Sequence, residues 1–139
     1  MKLSKNFTLE ELLVTGTGLP NNPGKHEIEN LIELTTHVLQ PLRDIYGSPI
    51  HVNSGFRCKA VNQKVGGVTT SQHTTGEAAD ISCDNNARLF HIIREKLVFD
   101  QLIWEGGDDS QPAWVHVSYK SQGNRAEVLK MKNGKYIRL

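Results

Sequence analysis

The side chains best suited to chemistry in this chain are His73, Asp80 and His116, two imidazoles and a carboxylate that could share one metal ion. His73 sits between Ser71 and Gly76 in a polar turn that leads straight into a strand-like run carrying Asp80. The intervening Thr74-Thr75-Gly76 argues against one continuous helix, so the turn is expected to fold the imidazole back beside the carboxylate. Small Gly76, Ala78 and Ala79 would permit a close approach of backbone and metal.

On a strand, Asp80 and Ser82 share one face while Ala79, Ile81 and Cys83 take the other, which presents a single charge among small and apolar neighbours. A buried, unpaired carboxylate is costly. A cation resolves that cost, and so does an ion pair with Arg57 or a lysine. His116 repeats the alternation, with Val115 and Val117 facing one way and Trp114, His116 and Ser118 the other. Two imidazoles and a carboxylate, with a fourth position left for water, make a catalytic zinc site that acidifies the water and polarises a scissile carbonyl. There is no HExxH motif and the third ligand is remote, so spacing alone leaves the metal and ion-pair readings both open. His26, His37, His51 and His91 read as surface or hydrogen-bonded histidines.

The elements that must position these groups can be read along the chain. Thr8-Leu9-Glu10-Glu11 is a capping box, so a short helix is expected to start there and to end before Gly16. Leu19 to Gly24 reads as a loop. Ile28, Leu31, Ile32, Val38, Leu39, Leu42 and Ile45 mark the apolar stripe of a long helix, kinked by Pro41 and stopped by Gly47. Pro49 to Asn53 reads as a strand opening into the turn Ser54-Gly55-Phe56-Arg57, and Cys58 to Val65 as a short helix. Strands are expected at Ala78–Cys83, Phe99–Trp104 and Trp114–Tyr119, with an amphipathic helix at Asn86–Leu97. Lys132-Asn133-Gly134 joins Glu127–Met131 to Lys135–Arg138 as a hairpin. The sum is an α+β fold, a small, mostly antiparallel sheet covered by helices in one domain over residues 1–139.

Composition narrows the function classes. The 139 residues are 37% hydrophobic, enough for one compact core. Sixteen basic residues against 15 acidic give a net charge of +1, with no basic run to attract nucleic acid or an anionic membrane. No apolar stretch approaches the roughly 20 residues of a membrane span, and no signal peptide is visible. Cys58 and Cys83 are too far apart for a metal knuckle and read as small thiols, with a bridge between them left open.

Taken together, Ser54-Gly55-Phe56-Arg57, Asn62, Val65-Gly66-Gly67, Ser71-x-His73-x-x-Gly76-x-Ala78-Ala79-Asp80-Ile81 and Trp114-Val115-His116-Val117-Ser118 resemble the zinc D-Ala-D-Ala carboxypeptidases and related peptidoglycan endopeptidases. The resemblance spans roughly residues 7 to 120. It implies a hedgehog/D-Ala-D-Ala peptidase-like fold and one zinc ion on His73, Asp80 and His116. It also implies Arg57 as the cation that binds substrate and steadies a developing oxyanion, with Ser71 either bonding substrate or shaping its turn. Some branches carry the general base three positions before the last histidine, where this chain has Ala113. The base is therefore expected to be Glu105, at the end of Gln101–Glu105, with Asp108 and Asp109 as alternatives. The implied substrate is a peptidoglycan stem peptide or cross-bridge, cut by a monomeric phage or prophage lysis enzyme that reaches the wall after membrane permeabilisation. The rival from another class is a non-catalytic zinc-containing wall-binding or structural module, as in the signalling domain of hedgehog proteins.

Overall fold

The computed structural model describes residues 1–139. Six strands form one sheet in the order β1-β2-β4-β3-β5-β6: β1 His51–Ser54, β2 Ala78–Ser82, β3 Gln101–Glu105, β4 Trp114–Ser118, β5 Glu127–Lys132 and β6 Lys135–Arg138. Every neighbouring pair is antiparallel except β3 with β5. The expected α+β class and mostly antiparallel sheet are therefore what the chain forms.

The helical segments over residues 25–46 and 86–96 cover one face. Ala79, Ile81, Leu102, Trp104, Val115, Val117 and Val128 point from the sheet into a core completed by Leu31, Leu34, Val38, Leu39 and Leu42 and by Leu89, Phe90 and Ile93. Burying each such side chain contributes about 1.5–3 kcal/mol. Asp80, His116 and Glu105 lie on the opposite, open face because strand residues alternate. That single fact separates the chemistry from the core.

The capping box at Thr8 forms in full: Thr8 Oγ1 accepts from the Glu11 N–H, and Glu11 Oε1 accepts from the Thr8 N–H. It starts only a 3-10 turn, Glu10–Leu13, whose role is to seat the fully buried Leu12. The expected long helix is continuous in direction but not in type. α1 (Lys25–Leu34) and α2 (Gln40–Tyr46) are joined by a π-helical segment, Thr35–Leu39, where the Gln40 N–H donates to the Thr35 carbonyl. Pro41 has no N–H and its ring crowds the carbonyl four residues back, and the wider π turn answers both. Ile32 and Ile45, expected in the stripe, are exposed instead, while Leu34 is fully buried. α2 ends at Gly47, whose φ of 82° lets its N–H reach the Arg43 carbonyl.

The π segment leaves one cost in the core. The Thr35 hydroxyl is buried with no hydrogen-bond partner. Thr35→Val keeps the shape and removes the orphan, so it should raise stability by about 1 kcal/mol. Thermal denaturation measures this, and a fall in midpoint would mean that the hydroxyl does have a partner.

α3 (Lys59–Lys64) follows the turn that carries Arg57, and α4 (Asn86–Lys96) packs on β3 and β4 and against α2, with Asn85 Oδ1 capping the Arg88 N–H. Between β4 and β5 the chain passes the start of β3, and Asp100 holds that crossing. Its carboxylate, fully buried, accepts from the Arg125 backbone N–H and from both Arg125 Nε and Nη2, and also from Gln72 Nε2 on the His73 turn. Burial by itself would raise the Asp100 carboxyl, but the Arg125 fork and backbone and the Gln72 amide outweigh it and hold the pKa at about 2.

A carboxyl held below its unfolded value stabilises the fold at any pH above that value, and the contribution is lost as pH falls from about 4 toward 2. The shift corresponds to on the order of 1–2 kcal/mol once the half-exposed Arg125 is discounted for solvent screening. Denaturation of wild type and Asp100→Asn should therefore differ most above about pH 4 and converge near pH 2. A constant gap across that window would show the charge to be irrelevant.

Candidate metal centre

β2 and β4 pair with Asp80 directly opposite His116, on the open face. The register alone sets these two side chains together, and His116 Nδ1 lies 3.0 Å from Asp80 Oδ1. His73 arrives from a separate turn, the 3-10 segment Gln72–Thr75. Ser71 caps that turn by accepting the His73 N–H at 3.2 Å, and its carbonyl accepts from Thr74 Oγ1. Of the two roles open for Ser71, the turn-shaping one is visible in these bonds. His73 Nε2 then lies 3.3 Å from the same Asp80 Oδ1.

The expected reason for the small residues near His73 needs correction. Gly76, with φ of 78°, is pressed against α1: an added Cβ would meet the Glu27 carbonyl oxygen at 2.5 Å. Its lack of a side chain serves the close approach of a helix backbone, not of a metal. Ala79 points into the core, and only Ala78 shares the open face with Asp80.

Whether these three residues suit a metal can be judged from the proton on His73. Its Nδ1 sits 2.7 Å from the Gly55 carbonyl, an acceptor only, so the ring proton of a neutral His73 belongs on Nδ1. Nε2 then turns a lone pair toward a carboxylate oxygen. Two lone-pair atoms at 3.3 Å need a cation between them or a second proton on the ring. A tetrahedral zinc with bonds of about 2.0–2.1 Å separates its ligand atoms by roughly 3.3 Å. The three donor atoms lie within 4.8 Å of one another, with both Asp80 contacts near that tetrahedral separation. The donor set and the backbone carbonyl that orients His73 therefore fit a metal ion.

Arg57 braces the carboxylate from the other side. Its Nη2 lies 3.3 Å from Asp80 Oδ2, Nε donates to Ser54 Oγ, and Nη1 donates to Asn62 Oδ1. Ser54 reaches this position because a bulge between Val52 and Ser54 brings it opposite Asp80. Three of the five guanidinium N–H groups are thus engaged, leaving one on each terminal nitrogen for a ligand. The ion pair foreseen as an alternative to a metal is present, and it coexists with the imidazole pair because Asp80 has two oxygens. Burial alone would raise the Asp80 carboxyl, but His116 and His73 outweigh it and hold it well below the usual range.

Glu105 closes β3 on the same open face, opposite Trp114 and two residues from Ile103, which pairs with His116. Burial raises its carboxyl above the usual value, the His116 imidazole opposes this, and the charge of Asp80 adds to it. The alternatives point elsewhere. The Asp108 carboxylate accepts from the Ser110 and Gln111 N–H groups of its own turn, which lower its pKa. Asp109 is paired with Lys130, which lowers its pKa too. Ala113 donates its N–H to the Glu105 carbonyl at 2.9 Å, so positions 105 and 113 are cross-strand neighbours at one edge of the site.

Two supporting groups are not singled out by any sequence motif. The Gly55 carbonyl is one. Asn21 is another: its buried amide donates to the Leu13 and Phe56 carbonyls and accepts from the Cys58 N–H, fixing the loop that carries Arg57. Cys58 and Cys83 are unbridged: the Cys58 thiol donates to the Pro20 carbonyl, and Cys83 Sγ accepts the Asn85 N–H. No helix is long and apolar enough to cross a membrane.

A family model described as Peptidase M15 matches residues 5–118. No curated protein matches the chain.

Proposed function

Because the chain belongs to the peptidase M15 family, we propose that it is a zinc peptidase hydrolysing a peptide bond of bacterial peptidoglycan, as a D-Ala-D-Ala carboxypeptidase or cell-wall endopeptidase. The observation that carries this reading is the convergence of His73, Asp80 and His116 on one point of an open sheet face that also bears Glu105.

His73 Nε2, His116 Nδ1 and Asp80 Oδ1 would hold the zinc, which when bound supplies a Lewis acid that polarises the scissile carbonyl and acidifies a water. Glu105 takes a proton from the attacking water, so that hydroxide adds to the carbonyl carbon, and then returns it to the amine nitrogen, which leaves as the C–N bond breaks. Its raised affinity for a proton, caused first by burial, suits both halves of that transfer. The free N–H groups of Arg57 steady negative charge on the carbonyl oxygen or hold a substrate carboxylate, and its three protein partners keep the fork from turning away. Ser71 shapes the His73 turn. A monomeric lysis enzyme of phage or prophage type, acting on the wall after membrane permeabilisation, is the setting we favour.

Mass spectrometry of muropeptides incubated with the zinc-loaded protein tests the reading and names the bond cut. New peptide fragments that vanish with a chelator are expected. Binding to walls without any cleavage would favour the non-catalytic module instead.

A further inference from the structure

The C-terminal hairpin lies beyond the residues matched by the family model, yet it extends the face that carries the site. Reading across the sheet, Trp114 pairs with Glu105, Glu105 with Met131, and Met131 with Tyr136. Residues so paired share a face, and strands lie about 4.8 Å apart, so Tyr136 stands roughly 10 Å from Glu105 along one row. The adjoining row is Ser54, Asp80, His116, Ile103, Leu129 and Arg138.

Burial does not explain an aromatic residue at this place. All four residues of β6 are exposed, Tyr136 at 57%, and its hydroxyl has no protein partner. Met131 is half-buried beside it, and Trp114, at the other end of the row, is 37% exposed. The hairpin is also held firmly in register. Asn133 and Gly134 both have positive φ, as a two-residue hairpin turn requires, and Asp100 clamps the entry to β5 through Arg125 and the Glu127 N–H.

We infer that Tyr136, with Met131 beside it, is a substrate-positioning wall that packs on the stem peptide about four residues from the bond cut. The inference rests on the peptidase reading above. From His116 on β4 to Tyr136 on β6 is three strand spacings, roughly 14 Å, which an extended peptide starting at the metal site covers in about four residues. An exposed, pre-positioned aromatic ring gives contact area at little cost in side-chain freedom. Because it lies away from the reacting atoms, it contributes to binding rather than to the chemical step.

Steady-state kinetics on an isolated muropeptide, with three variants, tests this. Tyr136→Ala should lower kcat/KM about ten-fold, almost wholly through KM. Tyr136→Phe keeps the ring and should stay within about two-fold of wild type. Ile137→Ala perturbs the same strand on its opposite face, where Ile137 pairs with Lys130, and should also leave kinetics unchanged. Zinc content and thermal midpoint report whether each variant folds. Unchanged KM in Tyr136→Ala, or an equal loss in Ile137→Ala, overturns the wall. If the wild type cuts nothing, the peptidase reading falls. Sedimentation with purified walls then decides separately: weaker binding by Tyr136→Ala alone upholds the wall, and equal binding or none by both proteins overturns it.

Discussion

Glu105→Gln is expected to lower kcat by about two to four orders of magnitude while metal content, KM and thermal midpoint stay near wild type. Glutamine keeps the size and hydrogen-bonding reach of the side chain, so packing at the half-buried end of β3 is not disturbed. What it loses is the capacity to take a proton. Zinc analysis and turnover on muropeptides measured side by side make the result decisive. Full turnover with normal zinc would remove Glu105 from the mechanism, and the next residues to vary would be Asp108 and Asp109. Their carboxylates are committed to their own turn and to Lys130, which leaves them poorer bases. An acid introduced at Ala113 offers a second arm. Its backbone is bonded to that of Glu105, so Ala113→Glu in a Glu105→Gln background should restore part of the lost activity.

Asp80→Ala should have the other large effect, on metal and fold together. Wild-type protein loaded with zinc gains stability from the ion by mass action, about 4 kcal/mol at a thousand-fold excess over its dissociation constant. A chelator should therefore lower its thermal midpoint by several degrees. The Asp80→Ala protein loses the only carboxylate of the donor set and should bind well under half an equivalent of zinc, with a midpoint that no longer responds to the chelator. Its baseline should fall as well. Arg57, whose side chain is 16% exposed, would be left without its acid, and removing one partner of a buried pair costs about 3–5 kcal/mol. His116→Ala leaves the Arg57–Asp80 pair intact, so it should lose metal with a smaller loss of stability. Equal zinc content in Asp80→Ala and wild type would refute the site.

The comparison of these two variants also separates the two readings that spacing left open. An ion pair alone predicts that Asp80→Ala is destabilised but that no chelator effect exists in wild type. A metal site predicts both. The structure makes the two compatible by giving one carboxylate oxygen to Arg57 and the other to the imidazoles.

Much of this was legible in the residues because it depends on local rules. Alternation along Trp114–Ser118 put His116 on the face away from Val115 and Val117, and the same rule isolated Asp80 from Ala79 and Ile81. Asn133-Gly134 specified its hairpin, and the capping box at Thr8 formed atom for atom. Where local rules were applied to a longer element they were less complete. The helix stripe lost Ile32 and Ile45 and gained Leu34, with the π segment before Pro41 changing the helical turn in mid-course.

By itself, then, the sequence determined which side chains could bind a metal, which way each faces on its own strand, and which turns interrupt the chain. Only the tertiary structure decided that they meet. Asp80 and His116 are 36 residues apart, and no local preference encodes the register that sets them opposite each other. The Gly55 carbonyl that orients His73 has no side chain to announce it, and its role exists only because the loop from β1 is folded onto the His73 turn. The neighbourhood of Glu105 and Ala113 is likewise a property of two paired strands. Short-range sterics act within a few residues, whereas the site is assembled by hydrogen bonds between segments brought together by burial of the opposite face of the sheet.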